Sequence, residues 1–442
     1  MTTVSPVSAA QTLLRGAGLA ALFAVATALA RLGLDAAMAW RHGVGAELDA
    51  YLFLANLVNW PAAVVLSCLT LLVSPLEAQL RQEGPQALAR FRAELLGWSL
   101  LVAGVALPLA GAGLLVAAGG SLAGFGAATA AIAREGAWPL APALPLALLV
   151  ALASAWMVAA GRHVLTLTEA VPPLLLGLLI LLLPPPVLFW GTTAALAAQL
   201  LLLMVLLGRE GMLPRPRWSW HSPAWRRLDL GALGLVVAQV LFTTMPLIDQ
   251  FFASRLQEGT LAALGFANRL VLGLQGVAGL ALQRAALPLL ARLDAQRRGR
   301  AAELALRWAL VAAAVAAALA GLAALAAGPV VTLLYQRGEF TAEHSGSVVE
   351  LLRWGLLQFP PYVAGVLLMT AVAAGQRHGD IARAALAGLL VKIGASLLLV
   401  PGHGAVGLQL ATALTYLSTA AWLAVVILRR PRVGGPLPKP EP

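Results

Sequence analysis

A small set of side chains in this chain combines charge or polarity with apolar surroundings. Arg31, Arg269, Arg353 and Asp249 lie well inside long apolar runs. Lys392 is a lone cation in LLVKIGASLLL, with Ser396 one helical turn on, and Asp49 stands at the start of a further run. A guanidinium fork matches phosphate oxygens in a bidentate way, so arginines converging from separate runs would hold an anionic group. Asp249 and Lys392 would either serve a coupling proton or sodium ion or form a static ion pair, and residue type leaves both readings open. Arg31 also stands four residues before Asp35, the spacing of an ion pair along one helix face.

Enzymatic chemistry finds no support. The histidines, His42, His163, His221, His344, His378 and His403, fall at loops or helix ends with no partnered nucleophile, and Cys68 is the only cysteine. Disulfides and thiolate metal sites are therefore excluded, and no cofactor is expected.

The elements that must carry these residues are membrane spans. Hydrophobic residues make up 60% of the 442 positions and charged ones 11%, against about 25% charged in soluble domains. Mean hydropathy is +0.86. So much apolar surface requires lipid as its solvent. Runs of about 20 apolar residues cross a bilayer, and twelve are expected near 13–40, 48–80, 93–118, 136–160, 169–184, 187–208, 231–254, 260–290, 304–328, 345–374, 380–400 and 405–428. The first is too long for the apolar core of a leader peptide and reads as a span.

Between the sixth and seventh runs lies GREGMLPRPRWSWHSPAWRRLDL, with Arg209, Arg215, Arg217, Arg226 and Arg227 among Trp218, Trp220 and Trp225. Arginine with tryptophan suits nucleic acid or the lipid headgroup layer. Its place between spans favours the headgroup layer, so the net charge of +11 implies no nucleic-acid partner. Counting Lys and Arg over alternate loops puts twenty on one side and four on the other. Both termini should face the cytoplasm. Six cations remain in or near the spans: Arg31, Arg269, Arg284, Arg307, Arg353 and Lys392. Arg284 and Arg307 are close enough to helix ends to snorkel. The others carry an insertion cost of roughly 2.5–3.5 kcal/mol at a helix centre, which points to a cavity or a partner.

DAAMAWRHGVG (35–45) is echoed by DQFFASRLQEG (249–259), with Asp35, Arg41 and Gly45 each 214 positions before Asp249, Arg255 and Gly259. The same shift carries Gly161 onto Gly375, and a shift of 213 carries PLEAQL (75–80) onto PLLARL (288–293). This pattern predicts a duplicated six-helix unit. Because six is even, both copies enter the membrane from the same side and are related by an axis along its normal. The expected fold is an all-α membrane protein of about twelve transmembrane helices. Residues 1–208 would form an N-lobe, 209–229 a basic interfacial linker, 230–430 a C-lobe and 431–442 a cytoplasmic tail. Such an arrangement places substrate between lobes that rock alternately.

Four stretches carry a family resemblance: RLGLDAAMAWRHGVGAELDAYLFLANLVNWP (31–61), GFANRLVLGLQGVAGLALQRAALPLLARL (265–293), LLYQRGEFTAEHS (333–345) and AAGQRHGDIARAALAGLLVKIGASLLLVPGHGAVGLQLATAL (373–414). They resemble the MurJ/MviN family, lipid II flippases of the MOP superfamily. The resemblance implies a two-lobed carrier of a polyprenyl-pyrophosphate-linked saccharide. The family's pyrophosphate-holding arginines of helices 8 and 1 fall on Arg269 and Arg31, and its acid at the start of helix 2 falls on Asp49. Arg353 is a further candidate for the same anion. Some members hold sodium through an acid on helix 7, matched by Asp249, and polar residues on helices 11 and 12. Helix 11 offers Lys392 and Ser396, so an ammonium would stand in the cation's place. Leu34 and Ala62 occupy positions where the family usually has arginine.

The expected function is thus flipping of lipid II or a similar envelope precursor across the bacterial inner membrane, by a monomer. The driving force would be sodium, protons or the membrane potential, which favours outward movement of a negative charge by roughly 2.3 kcal/mol per 100 mV. Two alternatives stand beside it. A MATE-like drug/cation antiporter would call for cavity carboxylates where this chain has arginines. A transport-inactive envelope scaffold would be consistent with Leu34 and Ala62. The RGEF stretch at 337–340 reads as a turn, with Gly338 reversing the chain and Thr341 capping the next helix.

Overall fold

The structure is a computed structural model that describes residues 25–119, 123–160, 165–184, 186–228, 233–296, 298–374 and 377–429. Side-chain surroundings are described for these except 165–166, 233, 280–281, 283–303 and 374. Arg15, Arg162, Arg297, the Gly161–Gly375 correspondence and the tail at 431–442 lie outside the described residues, as do the side chains of Arg284 and of PLLARL.

Every regular element among the described residues is helical. Helix α1 occupies residues 25–42. It is followed by α2 (Ala46–Cys68), α3 (Ser74–Glu83), α4 (Pro85–Ala118), α5 (Ala127–Leu140), α6 (Ala143–Ala159), α7 (Leu165–Thr168), α8 (Val171–Leu182) and α9 (Val187–Arg209). Then come α10 (Leu233–Ala253), α11 (Thr260–Gln296), α12 (Arg298–Tyr335), α13 (Ala342–Gly355), α14 (Phe359–Ala374) and α15 (His378–Leu428).

Eight helices among the described residues are long and apolar enough to cross a membrane, or nine if the bent pair α5–α6 is one span. The twelve expected runs are therefore not resolved as twelve separate spanning helices, and the reasons are local. Helix α15 runs 51 residues, but Gly404 breaks it with φ 55° and ψ −133°, between the runs expected at 380–400 and 405–428. The run at 136–160 is two helices meeting at 49°, and the earlier one begins at Ala127. Helix α8 has 12 residues and is about 18 Å long at 1.5 Å per residue, short of a ~30 Å hydrocarbon core. Helices α2 and α3 join through a π-helical turn, Leu69–Val73, just before Pro75. That turn absorbs the hydrogen bond a proline cannot make.

Contacts divide the chain into two compact units. The first comprises Met1–Phe266 with Gly328–Val348 and the second Ala267–Ala327 with Val349–Pro442. In the first unit, α6 packs against α2, α4 and α9, and α10 lies along α2. Phe91, Leu95, Leu96, Trp156, Met157, Leu203 and Leu207 pack into one buried hydrophobic cluster. Arg92 sits inside it rather than in a loop as its place near the end of an apolar run suggested. It is 4% exposed, donates from Nε and a terminal nitrogen to Glu77 at 3.0 and 2.5 Å, and lies over the Trp156 ring. Two charges placed one on α3 and one on α4 neutralise each other there, which is why neither appears at the surface.

In the second unit, α14 packs along α15. Helix α12 turns Leu310, Leu322 and Leu325 outward, the last 78% exposed, as a helix facing acyl chains does.

Candidate functional site

Both echoed stretches run from the end of one helix through a turn to the start of the next, but their glycines differ, Gly45 being extended with φ −176° and Gly259 left-handed. Asp35 lies in α1, Gly45 directly precedes α2, and Gly43 takes φ 58°. Asp249 lies in α10 and Gly259, with φ 82°, directly precedes α11. The turn before α11 is completed by α2. Asp49 on α2, 4% exposed, accepts the Gly259 N–H through Oδ2 and the Ala262 N–H through Oδ1, both at 2.7 Å. These are donors that a helix N-terminus leaves without intrahelical partners, and a carboxylate also suits the positive end of the helix dipole. Asp49, expected to meet substrate, thus has both oxygens engaged by the start of α11. Beside it, a Cβ on Gly259 would lie 2.8 Å from Val44.

A second pair of turns interlocks with the first. The 336–341 turn reverses at Gly338, φ 60°, and the Glu339 N–H donates to the Trp40 carbonyl at 3.0 Å. Any Cβ on Gly338 would collide with that same carbonyl. Thr341 Oγ1 accepts the His344 N–H at 3.3 Å and so caps α13 as expected. Gly124, between α4 and α5, also has a left-handed backbone, φ 67°, and a Cβ there would collide with the Arg255 side chain. Gly124 and Gly338 are separated by 214 positions, the shift of the echo. No residue pattern around Gly124 announced this correspondence.

The three candidate anion-binding arginines sit in different settings. Arg31 is exposed on α1 and meets Glu169 at 4.0 Å, an acid that sequence spacing did not bring to it. Arg269 is half-buried on α11, midway along the spanning segment Thr260–Gly279. Arg353 is exposed on α13 and donates from Nε to the Ala324 carbonyl at 3.2 Å. Arg31 belongs to the first unit, Arg269 and Arg353 to the second.

Next to Arg269 runs a line of amides that sequence reading missed. Gln275 donates to Gln358 at 3.4 Å, Gln358 to Gln409 at 3.3 Å, and Gln409 to Asn268 at 2.9 Å. The three glutamines are 2%, 5% and 1% exposed. Each buried amide is satisfied by the next, which is the condition for keeping such groups away from water. The residues are scattered over α11, the turn Leu356–Gln358 and α15, so no sequence spacing links them.

Lys392 is fully buried on α15. Its Nζ donates to the Leu408 carbonyl at 3.3 Å and to Thr412 Oγ1 at 2.5 Å, so the ammonium ties together the two arms of α15 on either side of Gly404. Ser396, also 0% exposed, has a hydroxyl with no hydrogen-bond partner among the described residues. Asp249 is half-buried on α10, in the first unit. No group of three or more His, Cys, Asp or Glu side chains able to hold a metal occurs among the described residues.

Comparison with known proteins agrees with this picture. The profile of the lipid II flippase MurJ family matches residues 125–437. The chain is 31% identical over 238 residues to a probable lipid II flippase MurJ of Vibrio cholerae serotype O1, an alignment spanning 50% of this chain and 42% of that protein's length. Among solved structures, the lipid II flippase MurJ in an inward closed conformation superimposes with a TM-score of 0.74 at 17% identity, covering 92% of this chain and 87% of that one. An inward-facing multidrug resistance MATE transporter of the MOP superfamily gives the same TM-score at 14% identity, covering 92% and 98%. Fold is thus shared with both groups, while sequence sides with one of them. This multi-pass membrane protein belongs to the MurJ lipid II flippase family.

Proposed function

We propose that the chain flips a polyprenyl-pyrophosphate-linked saccharide across the bacterial cytoplasmic membrane by alternating access, with lipid II as the first substrate to test. The observation that carries this reading is Arg269. It lies within the matched family region and keeps a guanidinium half-buried in the middle of a span, where cations normally face a cavity or a partner. A diphosphate headgroup is the partner its fork fits best. Arg31 and Arg353 contribute further positive charge in this reading.

The interlocked turns supply the gate. With Asp49 capping α11 and the turns at Gly124 and Gly338 seated against Arg255 and Trp40, one side of the first unit is shut. Release on that side requires these contacts to part, which would also free the Asp49 carboxylate. We place the gate on the outer face, with both termini cytoplasmic, and take the chain to act as a monomer. Asp249, Lys392 and Ser396 serve coupling to sodium, protons or the membrane potential, with the Lys392 ammonium filling the place of an exchangeable cation.

Complementation of a strain depleted of its lipid II flippase tests the reading. Rescue should disappear with Arg269→Ala and survive Arg307→Ala, since Arg307 is exposed on α12. Failure of the unaltered chain to rescue, despite normal membrane insertion, would overturn lipid II as the substrate. The MATE reading rests on the shared fold and would be favoured instead by ethidium efflux that depends on Asp249.

A further inference from the structure

The basic segment after α9 is held against α4 by a buried acid. Glu94, with a side chain 0% exposed, accepts from Ser219 Oγ at 2.6 Å, from the Ser222 N–H at 3.1 Å and from Trp225 Nε1 at 2.7 Å. Arg90 Nε approaches the same carboxylate at 3.6 Å. Three of the four groups come from the segment, so a single acid on α4 organises its course. Further contacts extend the attachment. The Arg217 N–H donates to the Ala93 carbonyl at 2.8 Å and Trp98 Nε1 to the Ser219 carbonyl at 3.2 Å. Trp220 stacks on Trp98 with ring centres 4.5 Å apart, and Trp225 sits edge-on to Phe91 at 5.1 Å. At Gly97 the Arg217 carbonyl occupies the space a Cβ would need. Arg227 pairs with Glu83.

A segment bonded along its length in this way is a moulded strap, and its outer surface is distinctive. Arg209, Arg215, Arg217 and Arg226 are exposed, and none forms an ion pair with a carboxylate among the described residues. Between them Trp218 is 65% and Trp220 58% exposed. Indole rings settle at the headgroup boundary and arginines are drawn to anionic headgroups there. Because Glu94 has already ordered the backbone, docking carries little further entropic cost.

We propose that residues 209–227 form a preformed docking surface for anionic phospholipid headgroups, shaped by Glu94 from beneath. This inference is independent of what the protein transports. Charge complementarity names the occupant: four exposed guanidiniums beside exposed tryptophans fit a bilayer of phosphatidylglycerol better than one of phosphatidylcholine, whose headgroup has no net charge.

The test uses the full chain in lipid nanodiscs of phosphatidylcholine, with or without phosphatidylglycerol. An environment-sensitive fluorophore is attached through His221→Cys, an exposed site on the strap, in a Cys68→Ser background. Iodide quenching should fall severalfold when phosphatidylglycerol is included, and high salt should restore it. Arg215→Gln combined with Arg217→Gln and Arg226→Gln should abolish the lipid effect without disturbing the fold, because these side chains are exposed. Glu94→Ala should raise quenching in both lipids by releasing the strap. Equal quenching of the parent protein in the two lipids would overturn the proposal, and so would an unchanged lipid effect in the triple variant. Protection by a single-stranded oligonucleotide in phosphatidylcholine alone, with no response to phosphatidylglycerol, would overturn it in favour of nucleic acid.

Discussion

Gly124 and Gly338 stand 214 positions apart, and each presses a left-handed turn against the opposite copy of the repeat, Gly124 against Arg255 and Gly338 against Trp40. The 214-position spacing read at Asp35, Arg41 and Gly45 thus recurs at this pair of glycines. Side chains at these two positions would meet strain and collision together, which makes the pair the most direct handle on these contacts.

Gly338→Ala should destabilise the protein by at least about 1–2 kcal/mol, the cost of a left-handed backbone for an L-residue, with the collision at Trp40 added. Gly346→Ala is the control, since a Cβ there meets nothing within 4 Å. Thermal unfolding of the purified variants in one detergent would show a lower midpoint for the first and not the second.

Asp49→Ala removes the acceptor from the Gly259 and Ala262 N–H groups. Leaving such buried donors unsatisfied costs about 1–3 kcal/mol. Reaction of an externally added, impermeant maleimide with Thr260→Cys should speed up in this background, and Asp49→Asn, which keeps one acceptor oxygen, should fall between it and the parent.

Arg92→Ala strands the Glu77 carboxylate in the core, and breaking a buried ion pair in this way costs about 3–5 kcal/mol. Replacing both partners, Arg92→Met with Glu77→Leu, should recover most of that loss. Denaturation of the single and double variants measures the difference.

Lys392→Ala takes the ammonium away from the Leu408 carbonyl and Thr412 Oγ1. Transport by this variant should respond to added sodium more strongly than transport by the parent protein. Transport lost at every sodium concentration would identify Lys392 as a static structural tie.

The all-helical fold was legible because the bilayer leaves a spanning backbone few choices, and apolar runs of the necessary length stand out against a charged fraction of 11%. Run boundaries were less legible. Gly404 interrupts α15 without ending its hydrogen-bonded course, and the 49° bend between α5 and α6 falls at proline- and alanine-rich sequence with no polar break. Hydropathy averages over both features.

The candidate site divides along the same line. Arg269 and Lys392 could be named from sequence alone because cations in apolar surroundings are costly, and cost is a property of residue type and window, whereas Asp49 and Ser396 were named through the family resemblance. Their partners could not be. The start of α11 is 210 residues from Asp49, Glu94 binds a segment more than 120 residues away, and the glutamine line joins three separate elements. Hydrogen bonds depend on distances in space that no local pattern encodes. Sequence therefore determined that this protein lives in lipid and carries cations within its apolar helices. Tertiary packing alone decided which backbone each acid caps and which turns meet.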